Sequence, residues 1–254
     1  MATIKEIKEQ LQNITEINHP QLKMFELDKR VGVQKLVKQW HRENEKRQQL
    51  VESFEKMSIY ENKMRKEGFQ FIAGVDEVGR GPLAGPVVAS AVILPESCYI
   101  PGLNDSKKLS EAKREELYEQ IQQQAVAVGV GILTASEIDQ WNIYEATKKA
   151  MLQGIQQLNV KPDFLLVDAM KLDLPIEQLS IIKGDATSIS IAAASIVAKV
   201  TRDRLMKQYA KKYPQYGFQR NMGYGTSEHI EALQAEGPCE LHRKTFAPIK
   251  TFFQ

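Results

Sequence analysis

Residues 71–94 read FIAGVDEVGRGPLAGPVVASAVIL and place two adjacent acids, Asp76 and Glu77, inside an otherwise apolar strand. A glycine-rich loop, GRGP at 79–82, follows the strand, and a second apolar run extends from 87 to 94. Neighbouring carboxylates raise each other's pKa, and burying either one without a partner costs free energy. A strand retains such a pair when a cation neutralises it, and a hard divalent metal is the first candidate.

A simpler explanation is that Asp76 and Glu77 only end the strand, with one facing solvent and the other capping the turn. The loop that follows argues against it. Glycines at 79 and 81 let the backbone approach a ligand closely, and Arg80 between them carries a guanidinium suited to phosphate. The stretch therefore favours a binding site over an ordinary strand end.

The composition is that of a globular chain, because 43% of the 254 residues are hydrophobic and 26% are charged. Two cysteines, Cys98 and Cys239, are too few for a disulfide framework or a zinc quartet, so reduced thiols and a cytoplasmic location are expected. No apolar run of about 18 residues occurs, and the first ten residues lack the apolar core of a signal peptide. Neither membrane insertion nor secretion is predicted.

The first 67 residues are predicted to form a helical extension. Isoleucine and leucine recur at spacings of three and four from 4 to 17, and Pro20 stops that helix. Apolar residues resume from 36 to 57 around a polar middle at 41–49, as in one long helix or two. The extension carries 14 Lys and Arg against 11 Asp and Glu. Its basic residues are more simply a solvated helix face than a binding patch.

From Gly68 onward the apolar period changes from 3.6 to 2, which indicates strands. Strands are predicted at 69–78, 85–94, 125–134, 164–167 and 180–183, and helices at 110–124, 136–158 and 190–213. Ser136 and Asp139 are expected to form the capping signature of the second of these helices. Strands followed by alternating strand and helix predict an α/β fold with a mixed sheet flanked by helices.

Two further acids lie at predicted strand ends. Asp168 ends the apolar strand 164–167, at the edge where open α/β sheets gather ligands, although a helix-cap or turn role would also explain it. Asp185 lies in a Gly-Asp-Ala-Thr segment that could be an ordinary turn. With the acids of the first strand, three strand ends each present a carboxylate. An all-oxygen site of this kind favours Mg²⁺ or Mn²⁺.

Several motifs resemble, in the correct order, those of the type 2 ribonucleases H, and of the ribonuclease HII family in particular. They are GVDEVGRGPLAGP at 74–86, NDSKKL at 104–109, ISIAAASIVAKVTRDR at 189–204 and GYGT at 223–226. The resemblance implies a ribonuclease H-like catalytic domain over 68–254, with a C-terminal helical substrate-binding region, after the helical extension 1–67. A type 3 enzyme would be expected to show Gly-Lys-Gly at 79–81 and a different N-terminal domain.

The resemblance also implies which residues act. The family uses two acids in its first motif, one at a later strand end and one in a Gly-Asp segment. The matching catalytic residues and ligands of Mn²⁺ or Mg²⁺ are Asp76, Glu77, Asp168 and Asp185.

Substrate contacts are implied in the same way. The backbone amides of Gly79, Arg80 and Gly81 are expected to recognise a ribose 2′-hydroxyl, Lys107 to contact phosphate, and Tyr224 to stack on or hydrogen-bond the sugar at an RNA–DNA junction. From the residues alone, Lys107 would be placed in a solvent loop and Tyr224 in packing. Further phosphate candidates are Lys199, Arg202 and Lys244, for which a solvated surface position is the alternative explanation.

The implied function is a metal-dependent endoribonuclease that hydrolyses the RNA strand of RNA–DNA hybrids. It is also expected to cut 5′ of a single ribonucleotide in duplex DNA, by two-metal-ion catalysis that leaves a 3′-hydroxyl and a 5′-phosphate. A DNA nuclease or recombinase of the wider group would share the acids but have no reason to keep the loop at 79–81. An inactive binding protein would have lost an acid, and all four are present.

Three expectations concern other parts of the chain. The extension is expected to lie against the catalytic body and strengthen duplex binding. Phe252 and Phe253 are expected to pack on the protein, with the alternative that 251–254 form a short tail for a replication clamp. His229 and His242 have no neighbour at metal-ligand spacing in the sequence, so no zinc site is expected.

Overall fold

The computed structural model describes residues 2–254. Its helices are α1 Ile4–Gln12, α2 Pro20–Glu26, α3 Val31–Met57, α4 Ile59–Lys66, α5 Glu111–Gln124, α6 Ala135–Trp141, α7 Ile143–Gln156, α8 Ile189–Lys212, α9 Phe218–Asn221 and α10 Ser227–Glu236. Its strands are β1 Ile72–Val78, β2 Val87–Ile93, β3 Ala127–Leu133, β4 Phe164–Asp168 and β5 Glu177–Ile181. The chain forms two compact units, one ending at Glu55 and the other spanning Lys56–Gln254.

The first unit packs α1, α2 and α3 around an apolar core of its own, which includes Ile7, Leu11, Leu22, Val33 and Trp40. α1 begins with a capping box between Thr3 and Glu6. It ends at Gln12, earlier than the apolar spacing predicts, because Asn13 caps its last turn. Ile17, which was placed on the buried stripe, is exposed.

The second unit is built on one five-stranded sheet of order β3-β2-β1-β4-β5. β1 is antiparallel to β2, as β2 is to β3, whereas β1, β4 and β5 run parallel. The predicted mixed sheet is confirmed. In the parallel register Val75 lies opposite Val167, so Asp76 and Asp168 follow at the same edge of the sheet.

Helices α7 and α8 cover the sheet on opposite faces, and small residues allow their backbones to approach it closely. A Cβ at Gly131 would lie 1.9 Å from the Ala150 carbonyl oxygen of α7. A Cβ at Gly74 would lie 2.0 Å from the Ser190 carbonyl carbon of α8. The close contact at Gly74 brings the start of α8, and the turn before it, beside the edge that carries the acids.

The helix predicted at 136–158 is two helices, α6 and α7. Asn142 separates them with a φ of 64°, and its side chain accepts hydrogen bonds from the amides of Tyr144 and Glu145 at the start of α7. The capping signature predicted at Ser136 and Asp139 is also wrong, because Thr134 and Glu137 form the capping box of α6. The Asp139 carboxylate instead accepts hydrogen bonds from the C-terminal segment.

The last strand lies at Glu177–Ile181 rather than at 180–183, because β5 pairs with β4 from Phe164 to Asp168 and ends where β4 ends. A C-terminal helical region follows α8 and packs around Tyr216, Phe218, Leu233 and Ile249. None of the helices between residues 2 and 254 has both the length and the apolar character that crossing a membrane requires.

Candidate active site

Three predicted acids converge at the carboxyl edge of the parallel strands. Asp76 lies on β1 and is buried, and Asp168 ends the neighbouring strand β4. The Asp168 Oδ1 accepts a hydrogen bond of 2.7 Å from the amide of Gly184. That bond holds the short 3-10 turn Gly184–Ala186, and with it Asp185, against the strand end. Glu77 follows Asp76 on the same strand.

Burial and mutual repulsion both oppose ionisation of these acids. Burial raises the pKa of Asp76 well above its usual range, and the charges of Glu77 and Asp168 raise it further. Burial also raises the pKa of Glu77, which the Arg80 guanidinium partly offsets. The pKa values of Asp168 and Asp185 are likewise raised, first by burial. The structure therefore assembles Asp76, Glu77, Asp168 and Asp185, hereafter the acid cluster.

Lys107 faces the acid cluster from a 3-10 turn, Ser106–Lys108. Asp105 caps that turn by accepting a hydrogen bond from the Lys107 amide at 3.0 Å. Burial alone would lower the pKa of Lys107, but the charges of Asp105, Asp76, Asp185 and Glu77 raise it overall. A fifth carboxylate, Asp105, thus acts on the site. Asp105 belongs to the NDSKKL motif at 104–109, although no role was predicted for it from the sequence.

The loop at 79–82 follows the acids of β1, and the amides of Gly79, Arg80 and Gly81 donate no hydrogen bond within the described chain, residues 2–254. Gly79 has a φ of +95°, and a Cβ there would lie 2.3 Å from the Arg202 Nε, so only glycine fits. The Arg80 Nη1 lies 3.5 Å from the Glu77 Oε1.

Tyr224 lies beside the same loop, although 143 positions separate it from Gly81. A Cβ at Gly81 would be 3.6 Å from the Tyr224 Cε1, and the tyrosine is 46% exposed. The ring is therefore available to a ligand that reaches the loop. A role in packing alone, the alternative considered for Tyr224 from the sequence, does not match this exposure.

The additional phosphate candidates differ in their surroundings. Arg202 is a wrong prediction, because its guanidinium is buried and donates to the carbonyl oxygens of Pro86, Met222 and Ala84. The Lys199 Nζ is engaged with Asp203 at 2.6 Å. The Lys244 Nζ lies 5.2 Å from the centre of the Phe253 ring.

The two C-terminal histidines, which have no metal-ligand neighbour in the sequence, meet in the fold. The His229 Nε2 and His242 Nε2 are 3.0 Å apart, and the His229 Nδ1 lies 2.9 Å from the Tyr224 carbonyl oxygen. The His242 Nδ1 accepts a hydrogen bond of 2.9 Å from the Cys239 amide. The pair therefore joins α10 to the C-terminal segment and supports the backbone of Tyr224.

The acid cluster offers only carboxylate oxygens, the ligands that hard divalent cations prefer. Within residues 2–254, no three His, Cys, Asp or Glu side chains already surround one point as metal ligands would. The donors fit such an ion in chemistry and charge, because burial and mutual repulsion raise the pKa of Asp76 and a cation would favour its ionised form.

Comparison with known proteins identifies the family. The family model of ribonuclease HII matches residues 73–249, and that of the ribonuclease HII N-terminal domain matches residues 3–65. The chain belongs to the ribonuclease HII family. It is 60% identical over 250 residues to the ribonuclease HII of Bacillus subtilis, covering 98% of each chain. The resemblance stated from the motifs is thereby confirmed.

Two solved structures share the fold of most of this chain. The ribonuclease H2 of Pyrococcus horikoshii OT3 is 27% identical with a TM-score of 0.62, over 71% of this chain and 96% of that one. A PCNA:RNase HII complex from Archaeoglobus fulgidus matches at 27% identity and a TM-score of 0.58, over 69% and 95% of the two chains. As a ribonuclease HII family member, the chain is a metal-dependent endoribonuclease acting on the RNA of RNA–DNA hybrids.

Proposed function

We propose that this ribonuclease also incises duplex DNA on the 5′ side of a single embedded ribonucleotide, leaving a 3′-hydroxyl and a 5′-phosphate. The observation that carries the proposal is the row of unused amides at 79–81, which directly follows the strand of Asp76 and Glu77. The 2′-hydroxyl distinguishes RNA from DNA at a single position, and it can accept a hydrogen bond from a backbone amide. One ribose would therefore be enough for recognition.

The acid cluster is proposed to bind two Mg²⁺ or Mn²⁺ ions, held by Asp76, Glu77, Asp168 and Asp185. When bound, two ions supply charge stabilisation to the attacking and leaving oxygens of an in-line phosphodiester hydrolysis. The protein's own contribution is to hold four carboxylates at one edge and to orient the phosphate. Lys107, whose pKa is raised by the surrounding acids, stays protonated and is proposed to contact that phosphate.

The sugar is proposed to be positioned between the loop and Tyr224. The amides of Gly79, Arg80 and Gly81 would donate to the 2′-hydroxyl, and the exposed Tyr224 ring would stack on or hydrogen-bond the sugar that follows it at the junction. Arg80, also exposed, is available to a neighbouring phosphate. The same contacts serve a long hybrid, in which each ribose offers a 2′-hydroxyl.

The test is cleavage of a labelled DNA duplex that holds one ribonucleotide, with Mg²⁺ or Mn²⁺, by the wild type and by Asp76→Asn. A metal-dependent cut 5′ of the ribonucleotide that the variant lacks is the expected result. Asp173→Asn, a change at an exposed aspartate outside the site, is the matched control and should cut normally. Cutting of a long RNA–DNA hybrid without cutting at the single ribonucleotide would reject the proposed role of the loop and Tyr224.

A replication clamp is the proposed protein partner, which would place the enzyme in DNA replication and repair in the cytoplasm. Phe252 and Phe253, which were expected to pack on the protein, are 42% and 51% exposed. The Archaeoglobus fulgidus structure is a PCNA complex of a ribonuclease HII. Removal of residues 251–254 is expected to abolish binding to the sliding clamp of the same organism while cleavage persists. Unchanged clamp binding would exclude this tail as the contact.

The roles of the two segments of the chain are also proposed. Residues 68–254 are proposed to carry catalysis and substrate recognition, and residues 1–67 to strengthen binding of the duplex. The positive balance of the extension, 14 basic against 11 acidic residues, supports an electrostatic contribution.

A further inference from the structure

Arg243, from the C-terminal segment, is buried beneath the loop at 79–82 and binds it only through backbone oxygens. Its Nη2 donates to the Gly79 carbonyl at 2.5 Å and its Nη1 to the Arg80 carbonyl at 2.9 Å. Its Nε and Nη2 both donate to the Gly85 carbonyl, at 3.1 and 2.9 Å. The side chain is completely buried, and the Phe246 ring lies 4.9 Å from its Cζ.

The direction of those carbonyls decides the direction of the neighbouring amides. In a planar trans peptide the N–H of a residue points opposite to the carbonyl of the residue before it. The one cis peptide bond between residues 2 and 254 is Ala247-Pro248, so the bonds joining 79, 80 and 81 are trans. Because Arg243 holds the Gly79 and Arg80 carbonyls on its side, the amides of Arg80 and Gly81 are turned away from it. Within residues 2–254, neither amide has a hydrogen-bond acceptor.

A second buried arginine shows that this arrangement is specific to Arg243. Arg202 holds the far end of the same turn through the carbonyls of Ala84 and Pro86, and makes no hydrogen bond to Gly79 or Arg80. The two guanidiniums therefore hold different peptides. Only the hydrogen bonds of Arg243 end on the peptide groups whose amides face outward.

We propose that Arg243 is a positioning residue for ribose recognition: by holding the Gly79 and Arg80 carbonyls it presents the amides of Arg80 and Gly81 to the 2′-hydroxyl. This inference rests on the proposed function of the loop. It assigns Arg243 no contact with substrate. Its effect should be on discrimination between ribose and deoxyribose rather than on attraction of the duplex as a whole.

The experiment compares binding of two duplexes that differ in a single 2′-hydroxyl, by the full chain in EDTA so that no cutting occurs. Arg243→Lys retains the buried charge, but one ammonium cannot span three carbonyls as the guanidinium does. Its ribose-to-deoxyribose affinity ratio is expected to fall about tenfold, equivalent to ~1.4 kcal/mol. Its affinity for the all-DNA duplex should stay within about twofold, an allowance of roughly 0.4 kcal/mol.

Two further variants keep the test decisive if Arg243→Lys folds poorly. Phe246→Leu removes only the ring beside the guanidinium and should lower the ratio by a smaller factor. Ile155→Ala, in the core between α7 and the sheet, should lower the melting temperature and leave the ratio unchanged.

The outcomes separate this inference from the function on which it rests. A wild-type ratio of one would reject the recognition of the 2′-hydroxyl by the loop, and the role of Arg243 with it. A wild-type ratio above one that persists in every folded Arg243 and Phe246 variant would overturn only the positioning role. A fall in affinity for both duplexes alike would assign Arg243 an electrostatic role and likewise overturn the proposal.

Discussion

At Asp76 the requirements of stability and of function conflict. It is buried on β1, it is followed by Glu77, and Asp168 lies at the end of the adjacent parallel strand. Burial and these two charges raise its pKa, which means that the folded state resists the ionised form more than the unfolded chain does. A carboxyl group at this position therefore lowers the stability of the metal-free protein at neutral pH.

Asp76→Asn is expected to raise the melting temperature in EDTA at pH 7.5 while abolishing cleavage. The gain should shrink as the pH falls towards 4, because the wild-type carboxyl group then binds a proton in the folded state. Each 1 kcal/mol would appear as about 2–4 °C in a chain of this size. Mg²⁺ should raise the melting temperature of the wild type more than that of the variant. A variant that is less stable than the wild type in EDTA would contradict this.

Substitution by alanine should affect stability at Gly79 and activity at Gly81. Gly79→Ala would set a Cβ 2.3 Å from the Arg202 Nε at a φ of +95°, and a loss of about 1–3 kcal/mol of unfolding free energy is expected. Gly81→Ala meets only the Tyr224 ring at 3.6 Å, so the fold should persist while cleavage at a single ribonucleotide drops. Denaturant unfolding and single-turnover cleavage of both variants check this. Equal destabilisation by the two changes would argue against the loop geometry.

The elements of the C-terminal region are joined by the histidine pair. The Tyr224 carbonyl can only accept, so the His229 Nδ1 carries a proton and its Nε2 accepts from the His242 Nε2. The His242 Nδ1 is then the acceptor for the Cys239 amide. Neither ring can take a second proton without breaking one of these hydrogen bonds. In agreement, burial lowers the pKa of His229 and lowers that of His242 to about 4.

The contribution of the histidine pair to stability is therefore expected to fall as the pH drops from 6.5 towards 4, opposite in sign to the contribution of Asp76. The folded pKa of His242 lies below its unfolded value, so the unfolded chain binds the proton first and gains up to ~3 kcal/mol by pH 4. His242→Gln keeps a donor towards His229 and should reduce this pH dependence in urea unfolding. His41→Gln, at a partly exposed histidine of the first unit, is the control and should leave the pH dependence unchanged. Identical pH profiles for all three proteins would exclude the pair as the cause.

At the scale of the whole molecule, the boundary of the extension matters for its function. The compact units divide after Glu55, so α4 belongs to the unit that holds the sheet. In that unit the Glu61 Oε1 accepts hydrogen bonds from the Ser188 Oγ at 2.6 Å and the Ser190 amide at 2.9 Å, at the start of α8. Residues 1–55 carry ten basic against nine acidic residues, whereas residues 56–67 carry four against two.

A chain beginning at residue 56 is expected to keep most of its affinity for duplex, and one beginning at residue 68 to lose affinity and stability together. The charge argument places the larger contribution in 56–67, and the second truncation also removes Glu61. Affinity measured against salt concentration tests the first effect, since fewer phosphate contacts give a shallower slope. Glu61→Ala in the full chain tests separately how much the loss of Glu61 lowers stability. Equal affinity of all the chains would remove the proposed role of the extension.

Local patterns predicted much of the fold and the composition of the site. The apolar period placed all five strands and the helices α5 and α8 within a few residues, because these elements bury a face against a core. It missed the break at Asn142, because a positive φ supported by side-chain capping leaves no apolar signature. The two terminal aromatics, Phe252 and Phe253, were expected to pack on the protein, whereas both are exposed.

The chain by itself determined the chemistry of the site: adjacent carboxylates, a glycine loop and two later acids, in an order that identified the family. Tertiary structure alone decided which groups meet. Val75 faces Val167 across the sheet, Tyr224 lies against Gly81, and Arg243 reaches the Gly79 carbonyl. Arg202 was predicted to contact phosphate, but it is buried in the structure and holds backbone carbonyls. Such roles depend on contacts between residues far apart in the sequence, and no local period records them.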